Sequence, residues 1–182
     1  MGIRLGIRPV ALAIALGAAA TVGGALVFEH GFGYVPCKLC LMQRIPYYAA
    51  VPLGLAAALL PPRWGRIGLW LLALVFLVSA GLGGYHAGVE WGLWPGPADC
   101  GGGSGAAAGN VGDFLNQLQT TRVVSCTEAA WRFLGLSLAG WNVLISFALS
   151  DLAVLAAIGN GLFFGREDPA REKPYGSSSL SQ

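Results

Sequence analysis

Four cysteines, Cys37, Cys40, Cys100 and Cys126, are the residues of this chain best suited to covalent chemistry. Cys37 and Cys40 enclose only Lys38 and Leu39, directly after Pro36 and at the entrance of an apolar segment. A thiol at a helix N-terminus meets unpaired backbone amides and the positive end of the helix dipole, and both favour the thiolate. The thiolate is the form that attacks, and departs, in thiol–disulfide exchange. Four cysteines allow three pairings. The Cys-x-x-Cys spacing favours a local Cys37–Cys40 pair, and Cys100 with Cys126 then follows. An inert staple and a zinc site are the competing readings. Zinc sites generally draw on two closely spaced pairs, whereas 25 residues separate Cys100 from Cys126, so no metal is expected.

Arg44 lies four residues after Cys40 and shares its helical face one turn further in. An arginine near the start of a membrane helix either snorkels to the headgroups or is held at a site. The Cys40 spacing favours the second reading, in which a guanidinium stabilises the thiolate and hydrogen-bonds a carbonyl that gains charge on reduction. His86 and Glu90 are also four apart. His86 is a candidate for seating a ligand or taking a proton, against the plainer reading of a solvated interfacial histidine. Trp91, Trp94, Trp131 and Trp141 read as an interfacial aromatic belt. Asp151, midway along an apolar run, is expected to be protonated or bonded inside a bundle to a hydroxyl such as that of Ser79.

Lipid is the solvent these groups must be positioned in. Of 182 residues, 55% are hydrophobic and 11% charged, against about 25% charged in ordinary soluble domains, and mean hydropathy is +0.62. A net charge of +2 with scattered Lys and Arg gives no nucleic-acid footprint. Four segments approach the roughly 20 apolar residues a spanning helix needs: about 10–28, 39–60, 67–85 and 138–164, the second interrupted by Pro46 and Pro52. The expected fold is an all-α membrane protein, a four-transmembrane-helix bundle forming one domain over 1–165. It has a short loop at 29–38, a long one at 86–137, and a disordered cytoplasmic tail at 166–182.

Seven of the eleven Lys and Arg residues (Arg4, Arg8, Arg63, Arg66, Arg166, Arg171, Lys173) fall on the side of the termini, and four (Lys38, Arg44, Arg122, Arg132) on the other. Positive charge favours the cytoplasm, which places both cysteine-bearing loops in the periplasm. A cleaved signal peptide ending near Ala18-Ala19-Ala20 is the alternative for the first segment, but its apolar run continues to Phe28. Within the long loop, Cys100-Gly-Gly-Gly-Ser-Gly reads as a flexible run. Residues 111–118 read as a short amphipathic helix, lying on the membrane or packed on the bundle.

With these residues assembled, the chain resembles the DsbB family of bacterial disulfide bond formation proteins. The resemblance rests on Pro36-Cys37-Lys38-Leu39-Cys40 with Gln43-Arg44, on Tyr85-His86-Ala87-Gly88-Val89-Glu90, on Cys100, and on Ser125-Cys126-Thr127-Glu128 leading through Trp131-Arg132-Phe133-Leu134-Gly135 to the last helix. It covers roughly residues 5–165. In the related vitamin K epoxide reductases the order of the cysteine pairs is reversed. The resemblance implies a bacterial inner-membrane, quinone-dependent protein-disulfide oxidoreductase. A periplasmic DsbA-like thioredoxin-fold partner would attack Cys100 of a Cys100–Cys126 disulfide, and electrons would pass to Cys37–Cys40 through a transient Cys37–Cys126 bond. Cys40 would then reduce a non-covalent ubiquinone or menaquinone held near Arg44, with His86 a further candidate. The glycine-rich spacer after Cys100 is plainer than the family leads one to expect. A vitamin K epoxide reductase-like enzyme and a non-catalytic, disulfide-stapled membrane scaffold are the rival readings.

Overall fold

Helices dominate wherever the chain is apolar, because a backbone in hydrocarbon must satisfy its own amides and carbonyls. A computed structural model describes residues 6–97, 122–123, 125–129 and 131–164. Its helices are α1 (Ile7–Phe32), α2 (Lys38–Leu59), α3 (Pro62–Glu90) and α4 (Leu138–Phe164). They pack in the cyclic order α1, α2, α3, α4, with α4 returning to α1, as a four-helix bundle. Helices α1, α3 and, over Leu138–Gly159, α4 are long and apolar enough to cross a membrane. Helix α2 is shaped by the same packing but carries Lys38, Gln43, Arg44 and two prolines, and is the least apolar of the four. It stays helical through Pro46 and Pro52.

Local chemistry sets the helix ends. Gly33, at φ 70°, closes α1 in the left-handed conformation with its N–H on the Phe28 carbonyl, a common use of glycine after a helix. Pro62 opens α3, where its missing N–H costs nothing. Cys37 caps α2, its sulfur accepting the Cys40 N–H at 3.3 Å.

Small residues let α2 and α3 approach closely. A Cβ on Gly65 would stand 2.7 Å from the Ala57 carbonyl oxygen, and one on Gly68 2.7 Å from the Ala57 Cβ. The apolar core of Ile14, Tyr47, Leu69, Leu72 and Phe76 fills the bundle interior around this contact.

Two short ladders tie the loops at the Cys37 end. Strand β1 (Tyr34–Val35) pairs in parallel with β2 (Arg122–Val123), Tyr34 opposite Arg122 and Val35 opposite Val123. Strands β3 (Arg132–Phe133) and β4 (Leu136–Ser137) form a hairpin that feeds α4. Its two turn residues, Leu134 and Gly135, both have positive φ, 51° and 82°, as the tightest hairpins require. Neither ladder was expected from the sequence. The expected amphipathic segment 111–118, the glycine-rich run after Cys100 and the tail lie outside the described residues.

The α2–α3 contact generates a direct test. Gly68→Val should destabilise the protein by about 1–3 kcal/mol through overpacking, read as a lower unfolding midpoint in detergent. Gly81→Ala, where a Cβ meets nothing within 4 Å, should leave the midpoint nearly unchanged.

Candidate redox site

The parallel β1–β2 ladder places two cysteines at one spot. Cys37 follows Val35 by two residues and Cys126 follows Val123 by three, so both chains leave the ladder at the same end. Cys37 and Cys126 are fully buried, and with Leu39, Val89 and Cys40 they form a small apolar cluster. The Cys37, His86 and Cys126 ligand atoms all lie within 4.8 Å of one another. A metal would need all three, but Cys126 is disulfide-bonded, which removes its sulfur as a thiolate ligand. Cys37 and Cys40 are free thiols in contact, sulfur to sulfur 2.9 Å.

The hydrogen bond from Cys40 is the largest influence on Cys37, and it holds the Cys37 thiol well below its ordinary pKa. Burial opposes this shift; His86 and the Cys40 amide add to it. Cys37 therefore stands as the thiolate and Cys40 as its donor.

His86 is 4% exposed, so the reading of a solvated interfacial histidine is wrong. Helix α3 continues past Tyr85 to Glu90 and carries His86 into the bundle. Its ring is held by a directed chain of hydrogen bonds. The Tyr47 hydroxyl donates to Asn142 Oδ1 at 2.6 Å, which leaves the Asn142 amide to donate to Gln43 Oε1 at 2.7 Å. Gln43 in turn donates through Nε2 to His86 Nδ1. The ring proton is thereby kept on Nε2, which faces Cys37 Sγ at 3.8 Å and Glu90 Oε1 at 3.9 Å. Ser146 and Ser79 extend the network further into the bundle.

Arg44 is 12% exposed and ion-paired with Glu29 of α1, and its second amino group donates to the Ala25 carbonyl at 3.4 Å. These two contacts hold it, largely covered, against α1. Arg44 and Cys40 line one cavity of about 310 Å³. Phe28, Trp131, Trp141 and Ile145 supply its apolar wall; Gln43, His86 and Glu90 join Cys40 and Arg44 at its polar end. Two of the tryptophans expected only as a belt thus face a cavity. Trp94 instead stacks on Tyr85 and donates to the Tyr85 carbonyl at 2.9 Å.

The structure brings together Cys37, Cys40, Arg44, His86 and Cys126; Cys100 lies outside the described residues. Asp151 is exposed on α4, and Ser79 takes the Ser146 hydroxyl instead, so the expected Asp151–Ser79 bond does not form. Sequence reasoning did not single out Glu29, Tyr47, Asn142 or Ser146, and noticed Gln43 only beside Arg44. The available signal was their polarity within apolar helices, where polar side chains pair with one another across helix interfaces.

Two free thiols in contact, one of them buried, beside a third cysteine already in a disulfide, define a helical membrane protein of the thiol–disulfide class. The family model described as Disulfide bond formation protein DsbB matches residues 7–157, and the chain belongs to that family. It is similar to Disulfide bond formation protein B of Methylococcus capsulatus (36% identical over 146 residues, 75% of this chain and 85% of the relative). It is also similar to the proteins of that name from Nitrosomonas europaea (33% over 158 residues, 81% and 92%) and Marinobacter nauticus (32% over 139 residues, 74% and 82%). No solved structure matches the chain. Family and fold together make this a multi-pass membrane protein of disulfide bond formation, with disulfide oxidoreductase activity.

The lowered Cys37 pKa has a measurable sign. As pH falls through it, the thiolate is protonated and its ultraviolet absorbance is lost. In reduced protein carrying Cys100→Ser and Cys126→Ser, one thiolate signal should persist at pH values well under the ordinary thiol pKa of about 8.5. Cys40→Ala should move that titration upward, because the Cys40 hydrogen bond is its largest cause. Asn142→Leu should cost about 1–3 kcal/mol by leaving the buried Gln43 Oε1 without its donor, read from the same unfolding transition in detergent.

Proposed function

We propose that this chain re-oxidises a periplasmic DsbA-like dithiol protein and passes the electrons to a membrane quinone, ubiquinone or menaquinone. The observation that carries this reading is the approach of the Cys37 and Cys126 sulfurs beside the free Cys37–Cys40 pair. Four crossings, with α2 as the fourth, would leave the cysteine end of the bundle outside the inner membrane and both termini in the cytoplasm. The excess of Lys and Arg on the terminal side supports that orientation.

The exchange balances as follows. A partner thiolate attacks Cys100 of the Cys100–Cys126 disulfide, forming a mixed disulfide and releasing the Cys126 thiolate. That thiolate attacks Cys37 of an oxidised Cys37–Cys40 pair, forming Cys37–Cys126 and releasing Cys40. The partner's second thiol displaces Cys100 and leaves as the disulfide. Cys100 then attacks Cys126, restoring Cys100–Cys126 and freeing Cys37. The outcome is a reduced Cys37–Cys40 pair beside a bonded Cys126, the state the structure holds. DsbA is a strong oxidant because its reduced form is stabilised, so an ordinary disulfide could not re-oxidise it without a further electron sink.

The cavity fits a quinone headgroup on its own chemistry. It is an apolar slot whose polar end carries the Arg44 guanidinium, the Cys40 thiol, the His86 imidazole and the Gln43 amide, with the Glu29, Glu90 and Glu128 carboxyls also on its lining. Arg44 would hold a ring oxygen, His86 would line the polar end beside it, and the apolar wall would take the tail. When bound, a quinone supplies the two-electron, two-proton acceptor for the pair. Glu29 fixes the Arg44 guanidinium so that it need not be reoriented as charge develops.

Purified protein given a reduced DsbA-like partner and a soluble quinone should bleach the quinone absorbance, and Cys40→Ser should abolish the bleaching. Arg44→Met should slow it by about 10-fold or more, the loss of roughly one charge-assisted hydrogen bond. Equal rates for wild type and Cys40→Ser would sink the reading.

A further inference from the structure

Glu90 has a place in the site that the exchange steps leave unused. Its side chain is 4% exposed. One carboxyl oxygen faces His86 Nε2 at 3.9 Å, and the other, Oε2, has no hydrogen-bond partner among the described residues. A buried carboxyl oxygen without a partner costs free energy, and such groups in native proteins call for an explanation. Glu90 also lines two cavities. One is the apolar cavity with Cys40 and Arg44; the other lies at the end of α3, walled by Trp91, Trp94 and Thr127. No other described residue borders both of these cavities.

Proton bookkeeping shows why a group is needed there. Oxidation of a Cys37 thiolate and a Cys40 thiol to the disulfide releases two electrons and one proton, that of Cys40. A two-electron, two-proton acceptor therefore requires one proton more than the pair can give. His86 is poorly placed to bring it, since Nδ1 already accepts from Gln43 and Nε2 already carries its hydrogen. A second ring proton would break the Gln43 bond and, through it, the orientation of Asn142 and Tyr47.

We propose that Glu90 supplies this missing proton to the apolar cavity and recovers it from the outer pocket beside Trp94. This rests on the quinone-linked reading above. His86 is then a positioning residue, holding one N–H between Cys37 and Glu90, and Glu90 is the group that loads and unloads. The Cys37 sulfur and the Glu90 carboxyl face the same His86 nitrogen, and in this proposal the charge gained by the sulfur on reduction is balanced by a proton on the carboxyl, which leaves on oxidation. The other ionisable groups at the site are His86 on the same helix, Cys37, Cys40 and Arg44 on the α2 side, Glu29 on α1, Tyr34 on β1, and Glu128 near Cys126. Arg44 is committed to Glu29.

The test uses full-length, quinone-free protein with Cys100→Ser and Cys126→Ser, so that one pair titrates. Equilibrating Cys37–Cys40 with a dithiol couple of known potential across neutral pH reports the protons taken up per pair reduced. The parent should take up about two, one on Cys40 and one on Glu90; Glu90→Gln should take up about one. Glu90→Asp should restore the larger value. Equal uptake in the parent and Glu90→Gln overturns the proposal. Should Glu90→Gln fail to fold, infrared difference spectra of the parent decide. A carboxylate gaining a proton on reduction of the pair supports the proposal, and no carboxyl change overturns it. Failure of wild-type protein to bleach quinone would defeat the quinone-linked reading itself. Bleaching together with equal proton uptake would defeat only the role of Glu90.

Discussion

The site depends on a hydrogen-bond chain with a fixed direction, running from Tyr47 through Asn142 and Gln43 to His86. In an apolar bundle each of these groups must find a partner within the protein, because water is absent and an unmade bond is costly. An amide has one donating and one accepting end, so the Tyr47 hydroxyl on Asn142 Oδ1 decides which end of Gln43 meets His86. Three helices, α2, α3 and α4, are locked together by the constraint that orients the imidazole.

Redox geometry is built on that frame. His86 is held so that Nε2 faces the Cys37 sulfur at 3.8 Å and a Glu90 carboxyl oxygen at 3.9 Å inside the protein. Cys40 sits on the next face of α2, beside Arg44 and the cavity. The sulfurs lie at the entrance of α2 and the Glu90 carboxyl at the end of α3, and Cys40 and Glu90 line one shared cavity. The Glu29–Arg44 pair also neutralises a largely covered cation, which would be costly unpaired.

Packing at the α2–α3 interface makes this arrangement possible. Gly65 and Gly68 bring the two helices into backbone contact near the opposite end of the bundle. Nearer the cysteine end the same helices carry Gln43 and His86 within hydrogen-bond reach. Small residues where backbones meet and paired polar residues where chemistry is done are both expected of helix association in lipid.

Composition and run length were enough to read helices in lipid from the sequence, because hydrocarbon admits few other folds. The Cys-x-x-Cys spacing and its position at a helix entrance were enough to mark Cys37 and Cys40, since neighbours three apart on a helix start must meet. Arg44 was legible for the same reason of helical periodicity. What no spacing revealed was pairing across the chain. The approach of Cys126 to Cys37 comes from a two-residue parallel ladder, too short to leave a pattern. Glu29 reaches Arg44 from another helix, and Asn142 meets Gln43 across 99 positions of sequence. The bond expected between Asp151 and Ser79 fails for a related reason: a polar residue in an apolar run does not disclose which way its helix is turned, and this one faces out. Local periodicity settles which residues share a helical face; only the rotation and packing of the four helices decide which faces meet.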